Sequence, residues 1–370
     1  MLFLLLLASF MVSAILTALI LPKIMLISFK KKLFDTIDER KVHHGIVPRL
    51  GGVAFTPAII ITNALVFGIF TLIEPYTNSN FTPNIAPRLA LALCALLLLY
   101  LEGITDDLVR VSYKTKFFIQ ILCASTIVCS GIWINNLYGL FGITTLPWYI
   151  GMPFSVLVLV YCINAVNLID GIDGLASGLS SIALFFMGCL FFHEREIVCA
   201  VLSFSTLGTL IPFFRWNVFG RAEEQKKIFM GDCGSQTIGL ILGLLALRLS
   251  MSDYESDLIL PNSLVVAFSL LMVPCLDVIR VMIGRIRRHC NPFLPDKTHI
   301  HHKFIALGMS HRTTMVVILM LATFFGLLNL LLVTITNINV ILFIDVFIWT
   351  AMHIWMSAII KKRNETTMQA

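Results

Sequence analysis

The first 21 residues, MLFLLLLASFMVSAILTALIL, form an uncharged and largely apolar run, and this run decides the class of fold. A helix needs about 20 apolar residues to cross the hydrocarbon core of a bilayer. A cleaved signal peptide would place positive charge before its apolar segment, whereas the first Lys of this chain is Lys23. We therefore interpret the run as a retained first membrane helix whose N-terminus lies outside the cell.

Apolar runs of similar length follow along the chain and predict eleven spans in all. Hydrophobic residues make up 58% and charged residues only 13% of the 370 positions, far from the composition of a soluble domain. We therefore expect an all-α integral membrane protein, with residues 1–360 as a single polytopic membrane domain and residues 361–370 as a cytoplasmic tail. The predicted spans lie near 3–27, 51–73, 88–105, 117–135, 147–163, 177–192, 197–214, 236–252, 261–283, 314–334 and 339–360.

The distribution of Lys and Arg predicts the orientation of these spans, because cytoplasmic loops carry an excess of both residues. Of the 27 Lys and Arg residues, 23 fall on one side of the predicted membrane and three on the other. This bias places the C-terminus and five loops in the cytoplasm, and the outer connections are predicted to be plain turns. The five loops contain residues 28–50, 106–116, 164–176, 215–235 and 284–313.

Charge and cysteine usage exclude some other classes of protein. The net charge of +6 is too modest to indicate a nucleic-acid partner. The nine cysteines show no paired spacing and mostly lie within apolar runs, so we expect small buried hydrophobic side chains rather than a disulfide framework. The absence of an evident internal repeat in the sequence weakens the interpretation as a transporter.

The second cytoplasmic loop, GITDDLVRVSYKTKF, carries two adjacent acids at the inner end of the third predicted span. Neighbouring side chains on a helix point about 100° apart, so Asp106 and Asp107 do not face the same point. We predict different roles for them, one towards a metal ion and the other towards a second substrate. Lys116 opens the next helix. Two solvated loop acids are the simpler alternative.

The third loop, NAVNLIDGIDGLASG at 164–178, places two amides and two acids beside long apolar runs. Asn164, Asn167 and Asp170 are spaced three apart and share one face of a helix. The glycines that follow would break this helix and leave Asp173 to point elsewhere. The loop itself has no Lys or Arg to neutralise its acids, so we expect a bound cation or a hydrogen-bonding ligand rather than a simple polar turn.

The fourth loop contains FMGDCGSQTIG at 229–239, a glycine-rich turn directly before a predicted span. Backbone N–H groups in such a turn, with a helix N-terminus behind them, suit phosphate. A carboxylate in this position, Asp232, suits Mg²⁺ that bridges phosphate oxygens. Phe229 has the side chain needed to stack on a base.

Two further loops are rich in basic residues. The first, KVHHGIVPRLGG at 41–52, offers His43, His44 and Arg49 to an anion or to anionic lipid heads. The fifth, RIRRHCNPFLPDKTHIHHKF at 285–304, favours an anion site because arginines surround its histidines; a structural zinc site would need better-spaced ligand pairs. Its candidate residues are Arg285, His299, His301 and His302.

Acids suited to a divalent cation and bases suited to phosphate therefore line one face of the membrane. Phosphoryl transfer requires this combination, because a metal ion and cationic side chains neutralise the charge that spreads over the phosphoryl oxygens. A carboxylate would orient or deprotonate the nucleophile. A site at the membrane surface indicates that one substrate is a lipid.

Four motifs, TDDL, NAVNLIDGIDGLASG, MGDCGSQTIG and NPFLPDKTHIHH, occur in this order and resemble those of the polyprenyl-phosphate N-acetylhexosamine-1-phosphate transferases of glycosyltransferase family 4. The histidine loop is more similar to that of the WecA/TagO-like branch than to that of the phospho-MurNAc-pentapeptide translocases. The resemblance implies an enzyme of the bacterial inner membrane that transfers a sugar-1-phosphate, with GlcNAc-1-phosphate as the leading candidate. The donor would be a UDP-amino sugar, the acceptor undecaprenyl phosphate and the cofactor Mg²⁺ or Mn²⁺.

The resemblance also implies roles for individual residues. The catalytic candidates are Asp106, Asp107, Asp170 and Asp173. The metal-binding candidates are Asp232 and Asp106. The substrate-binding candidates are Lys116, Asn164, Asn167, Phe229, Arg285, His299, His301 and His302. Among these, Lys116 matches a lysine of the lipid-phosphate site and Phe229 an aromatic residue that stacks on uracil.

Several alternatives stay open at this point. A phospho-MurNAc-pentapeptide translocase would use a different donor, and an ion-coupled transporter would place its acids near the middle of the membrane. The displacement proceeds either in one step or through a phosphorylated aspartate. The chain acts either alone or as a homodimer.

Overall fold

The computed structural model describes residues 2–33, 47–73, 85–252, 262–291 and 298–369. Within these ranges the chain forms thirteen α-helices and one two-stranded β-ribbon, which confirms the all-α prediction. The helices are α1 (Leu2–Lys31), α2 (Phe55–Ile73), α3 (Ile85–Val109), α4 (Tyr113–Cys129), α5 (Trp148–Ile169), α6 (Leu175–His193), α7 (Ile197–Val218), α8 (Gly231–Ser250), α9 (Ser263–Ser269), α10 (Met272–Arg287), α11 (Ile300–Ala306), α12 (His311–Leu332) and α13 (Ile338–Gln369). The strands are β1 (Asn136–Leu140) and β2 (Ile143–Thr145).

Nine helices of the described ranges are long and apolar enough to cross a membrane, and the bent pair α9–α10 would make a tenth span. Large apolar side chains such as Phe3, Leu72 and Leu157 are exposed on these helices, as expected where lipid surrounds the protein. The class of integral membrane protein is therefore confirmed, whereas the orientation stays a prediction. Residues 361–369 continue α13 as helix.

The fourth predicted span, near 117–135, differs from the structure. The observed helix, α4, has 17 residues, which is at the lower limit of about 17 residues for a membrane span. It begins earlier than predicted because Ser112 caps it, its side chain accepting the Thr115 N–H. After Cys129 the chain enters the antiparallel β1–β2 ribbon, where we predicted plain turns.

The ninth predicted span, near 261–283, is broken in the structure. Helices α9 and α10 meet at 77°. Pro274 lies in the first turn of α10, where the missing N–H of proline does no harm. Helix α10 therefore does not continue the axis of α9, and Asp277 on α10 contacts His299 of the fifth loop.

Helix α8 is the central element of the bundle. Every residue from Cys233 to Ser250 is buried, and α8 contacts α3, α5, α6 and α9. Glycines permit the close approach: a Cβ on Gly239 would lie 2.8 Å from Ile163 Cα, and one on Gly243 would lie 2.9 Å from a methyl group of Leu159. This packing fixes the N-terminus of α8, where Asp232 is the second residue.

We expect Gly52→Ala to destabilise the fold. A Cβ on Gly52 would lie 2.1 Å from Gly234 Cα, so the substitution must push the 3₁₀ turn Gly51–Ala54 away from α8. The expected loss in free energy of unfolding is about 1–3 kcal/mol, measured as a lower thermal midpoint of the purified protein in detergent. Gly68→Ala is the control, because its Cβ would meet nothing within 4 Å. Equal midpoints for wild type and Gly52→Ala would contradict the close packing.

Candidate active site

Backbone hydrogen bonds join the first and fourth loops. The Phe229 N–H donates to the Pro48 carbonyl at 2.9 Å, and the N–H groups of residues 51–52 donate to the carbonyls of residues 229–230 at 2.9 and 2.8 Å. This short ladder holds Arg49 beside the glycine-rich turn. His43 and His44 of the same loop lie outside the described residues.

Two acids from different helices converge on one ammonium group. Lys116 Nζ, in the first turn of α4, donates to Asp106 Oδ2 at 2.5 Å and to Asp232 Oδ2 at 2.6 Å. The Val111 N–H donates to the other oxygen of Asp106 at 2.7 Å and fixes that carboxylate. We call Asp106, Lys116 and Asp232 the acid–lysine cluster. The two predicted metal ligands therefore lie together, with a cationic group between their carboxylates.

Asp107 has a different environment from Asp106, in agreement with the angle between them. Its Oδ1 accepts the Asp232 N–H at 2.8 Å and its Oδ2 accepts the Cys233 N–H at 3.0 Å. These donors belong to the first turn of α8 and have no partner within that helix, so Asp107 caps α8 from a neighbouring helix. Asp107 thereby positions Asp232, and its direct action on a substrate stays a prediction.

The turn before α8 depends on a glycine. Gly231 has φ +74°, which L-residues with a side chain rarely adopt. A Cβ there would lie 2.0 Å from the Arg49 carbonyl oxygen and 2.6 Å from Asp107 Oδ2. The glycine of the MGD motif therefore allows the first, second and fourth loops to meet.

Asp173 has a cationic partner that the sequence did not reveal. Its Oδ2 accepts a hydrogen bond from Lys227 Nζ at 2.6 Å, and the same Nζ lies 5.9 Å from the centre of the Phe229 ring, within cation–π range. We call Asp173, Lys227 and Phe229 the Lys227 cluster. The third loop has no Lys or Arg of its own, and a bound cation or ligand was expected to meet its acids. For Asp173, a lysine of the fourth loop takes this place.

Asp170 follows the last residue of α5 and is half-buried. Burial raises the pKa of Asp170 to about 7, and the nearby carboxylates of Asp173 and Asp232 add to the rise, whereas Arg49 opposes it. Asp170 can therefore take up or release a proton near neutral pH, which is the property required of a general acid or base.

The two asparagines of the third loop reach different depths. Asn167 Nδ2 donates to Ser235 Oγ at 3.1 Å, in the first turns of α8. Asn164 lies about one turn deeper, and its Nδ2 donates to Gln120 Oε1 at 2.7 Å. Only Asn167 therefore borders the acid–lysine cluster.

Asp277 organises the histidine loop and was missed by the sequence reasoning. The side chain is fully buried. Its Oδ1 accepts the Ile300 N–H at 2.9 Å and a hydrogen bond from Arg280 at 2.7 Å, and its Oδ2 is bonded to His299 Nδ1 at 2.8 Å. The sequence did contain one indication of this role, because Asp277 is an acidic residue inside a predicted membrane span. Acidic residues are rare in such spans and usually have a function there.

The three histidines of the fifth loop pack against one another and against the third loop. The His299 and His301 rings are parallel with centroids 5.9 Å apart, and those of His301 and His302 are 4.2 Å apart. We call these three residues the histidine stack. A Cβ on Gly171 would lie 2.3 Å from His301 Nε2, so the NxxNxxDG motif directly contacts the stack.

His301 is a neutral residue at physiological pH. Burial lowers the pKa of His301 to about 3, and the neighbouring His302 and His299 rings add to this effect. This differs from the basic residue expected from the sequence, because His301 offers hydrogen bonds without positive charge. Arg285, the remaining candidate of this loop, lies buried in the last turn of α10.

Comparison of the amino-acid sequence with known proteins identifies the family of this chain. The model of glycosyl transferase family 4 matches residues 89–250. This segment runs from α3 to α8 and contains the acid–lysine cluster and the Lys227 cluster.

Similar proteins of known name cover most of the chain. The undecaprenyl-phosphate alpha-N-acetylglucosaminyl 1-phosphate transferase of Yersinia pestis is 30% identical over 311 residues, which cover 82% of this chain and 78% of the relative. The probable undecaprenyl-phosphate N-acetylglucosaminyl 1-phosphate transferase of Bacillus subtilis is 33% identical over 321 residues, or 86% and 82%. The Escherichia coli K12 enzyme, named as that of Y. pestis, is 29% identical over 308 residues, or 82% and 77%. This chain therefore belongs to glycosyl transferase family 4.

Proposed function

We propose that this protein transfers GlcNAc-1-phosphate from UDP-GlcNAc to undecaprenyl phosphate in the bacterial inner membrane. The observation that carries the proposal is the meeting of the acid–lysine cluster, the Lys227 cluster and the histidine stack at one end of a membrane bundle. The names of the three relatives give the same transferred group, N-acetylglucosaminyl 1-phosphate, and the same acceptor, undecaprenyl phosphate. The product would be a lipid-diphosphate sugar that initiates the synthesis of a cell-surface polysaccharide.

The proposed reaction forms one bond and breaks one. An oxygen of the acceptor phosphate attacks the sugar-linked phosphorus of the donor. The bond from this phosphorus to the bridging oxygen breaks, and UMP leaves with the electron pair. Negative charge spreads over the remaining phosphoryl oxygens, so the site must align two anionic substrates and neutralise them.

Mg²⁺ is the proposed cofactor, with Mn²⁺ as a substitute, and the acid–lysine cluster fits it. In phosphate-transfer sites Mg²⁺ is usually bound by one or two carboxylates together with substrate phosphates. Asp106 and Asp232 already face a cation in this structure. The described part of the chain has no group of three or more His, Cys, Asp or Glu residues that could hold a metal ion. The ion would therefore need substrate oxygens as further ligands. When bound, the ion would neutralise phosphoryl charge.

The other groups of the site have tasks that follow from their positions. Lys116 would bind the acceptor phosphate next to the metal ligands. Asp170 would hold or release the proton of that phosphate. The Phe229 ring would stack on uracil, with Asp173 and Lys227 beside it. His301 would donate a neutral hydrogen bond to a phosphate oxygen.

The position of the acids favours an enzyme over a transporter. Asp106 is the fourth residue from the end of α3, and Asp232 is the second residue of α8. Asp170 and Asp173 lie between α5 and α6. A transporter of ions would concentrate such acids near the middle of the membrane, and these four lie at helix ends.

The direct test is an assay of purified protein with undecaprenyl phosphate, Mg²⁺ and radiolabelled donors. With UDP-GlcNAc we expect UMP release and label in the lipid fraction, no turnover in EDTA and full recovery on adding Mg²⁺. Turnover with UDP-MurNAc-pentapeptide alone would identify a translocase-type enzyme instead. Activity that persists in EDTA would refute the cofactor assignment, and no turnover with any UDP-amino sugar would refute the proposed reaction.

We expect Gly171→Ala to reduce kcat/KM for UDP-GlcNAc by about 10²-fold. The new methyl group must displace the His301 ring, from which it would lie 2.3 Å, and this moves the histidine stack away from the third loop. UMP release at varied donor concentration measures the effect. Gly284→Ala in α10 is the control, because the nearest atom to its Cβ is 4.0 Å away. Wild-type kinetics in Gly171→Ala would show that the contact with His301 does not matter for turnover.

A further inference from the structure

A second polar layer lies directly beneath the acid–lysine cluster. Each helix that supplies the cluster carries another polar residue four positions deeper in the membrane: Glu102 in α3, Gln120 in α4 and Gln236 in α8. Residues four apart on a helix lie one above the other. These three residues are only 5, 2 and 1% exposed. Such groups are expensive inside a membrane and indicate a function.

A chain of amide hydrogen bonds crosses this layer. Asn164 Nδ2 donates to Gln120 Oε1 at 2.7 Å, and Gln120 Nε2 donates to Gln236 Oε1 at 2.9 Å. The chain ends at Gln236 Nε2. Within the described part of the chain, neither this nitrogen nor the two carboxyl oxygens of Glu102 make a hydrogen bond of normal geometry. The amides are therefore fixed, and Gln236 at the end of the chain also interacts with the Glu102 carboxyl group. A carboxylate has lone pairs for more than one donor, so Glu102 can accept a further hydrogen bond.

The Glu102 carboxyl group lies within the electrostatic range of the Lys116 ammonium. It interacts electrostatically with Lys116, Asp106 and Asp232. The neighbouring Gly103 packs against α8, since a Cβ there would lie 2.4 Å from Cys233 Cα. Glu102 is thus an acid on the membrane side of the cluster, about one helical turn, or about 6 Å, below Asp106.

In the present arrangement the Lys116 ammonium occupies the place between the two carboxylates that a divalent cation would take. Both Oδ2 atoms lie within 2.6 Å of Lys116 Nζ, and the entering ion would repel the ammonium. Lys116 must then turn to another acceptor. Its side chain is 23% exposed, and leaving a largely buried charge without a partner is costly.

We propose that Glu102 is a positioning residue whose carboxyl accepts the Lys116 ammonium when Asp106 and Asp232 turn to the divalent cation. This inference rests on the proposed function, because it takes those two acids as cation ligands. A lysine ammonium has three N–H donors on a flexible stem. Held from below by Glu102, it still presents donors to the acceptor phosphate above.

The test measures cation binding without turnover. Mn²⁺ is titrated into the purified full-length protein in detergent with UDP-GlcNAc but no acceptor lipid, and free Mn²⁺ is followed by its EPR signal. Glu102→Gln should weaken Mn²⁺ binding about tenfold, because the displaced ammonium loses its negatively charged partner in a largely buried place. In a Lys116→Met background the same change should have an effect below about twofold, since no ammonium then has to move. Asp345→Asn, which removes a buried acid of α13, is the matched control and should bind as wild type.

The outcomes separate this inference from the proposed function. An equal loss in both backgrounds, or no loss in either, would overturn the role of Glu102. Asp232→Asn tests the cation assignment alone: if it binds Mn²⁺ as wild type, that assignment fails, and the role of Glu102 with it. If Asp232→Asn loses binding while Glu102→Gln does not, only the role of Glu102 fails.

A relocated carboxyl provides an independent check. The double variant Glu102→Gln, Gln236→Glu moves the acid across the same layer to α8 and should restore most of the Mn²⁺ affinity. It also replaces the single variant if Glu102→Gln fails to give a monodisperse protein on gel filtration. A folded double variant that stays as weak as Glu102→Gln would count against an acceptor role.

Discussion

Asp232→Asn is expected to abolish turnover, with kcat lowered by at least about 10³-fold. The substitution removes one of the two carboxylates that face the proposed cation, and it also removes one partner of the Lys116 ammonium. It should leave α8 in place, because Asp107 caps this helix through the backbone N–H groups of Asp232 and Cys233. UMP release measured at saturating Mg²⁺ and donor gives the loss in kcat.

The control for this variant comes from the same loop. Glu224→Gln removes an acid whose partners are Arg221 and Lys226 at the protein surface, and it should keep wild-type turnover. The thermal midpoint of Asp232→Asn should stay within a few degrees of wild type. Full activity of a folded Asp232→Asn protein would show that Asp232 is not a metal ligand. Asp106 would then be the only carboxylate of the acid–lysine cluster left to bind the metal ion.

The sequence was sufficient for features that depend on local pattern. Apolar runs near the length of a membrane span predicted the helices, because a bilayer requires that length in one continuous segment. The 100° step of a helix separated Asp106 from Asp107, and the two acids indeed have different partners. The motifs identified the loops that meet at the site, because the chemistry of phosphate and metal requires particular residue types.

Features that depend on distant contacts could not be predicted. Lys227 neutralises Asp173 across 54 positions of sequence, and no local pattern shows this pairing. Asp277 lies in a largely apolar run of sequence, and its contacts with His299 and Ile300, 22 and 23 positions away, become visible only in the fold. Burial also changed the character of His301, since a histidine loop rich in Arg appears basic in sequence while the buried ring is neutral.

Asp277→Ala is expected to lower kcat/KM by about 10²-fold or more and to destabilise the protein. The substitution removes the carboxylate partner of Arg280, which keeps only its hydrogen bond to the Thr298 carbonyl. It also leaves the Ile300 N–H without its buried acceptor and releases His299. Removing one partner of a buried charge pair typically costs about 3–5 kcal/mol. UMP release and the thermal midpoint, measured on the same preparation, report the two effects.

Asp277→Asn separates positioning from folding. The amide oxygen can still accept the Ile300 N–H, so we expect a stable protein whose kcat/KM falls because His299 is no longer held by a carboxylate. Asp345→Asn is the matched control, since Asp345 is also a buried acid but lies on α13, bonded to Asn329. It should keep wild-type kinetics.

A double variant decides whether Asp277 acts through the histidine stack. His301→Ala alone should cost substantial activity, because it removes a ring that contacts both the third loop and the neighbouring histidines. If Asp277 serves only to place this stack, adding Asp277→Asn to His301→Ala should cause little further loss in kcat/KM. Fully multiplicative losses would mean that Asp277 contributes by a separate route, and wild-type kinetics in a folded Asp277→Asn protein would mean that the stack keeps its position without this carboxylate.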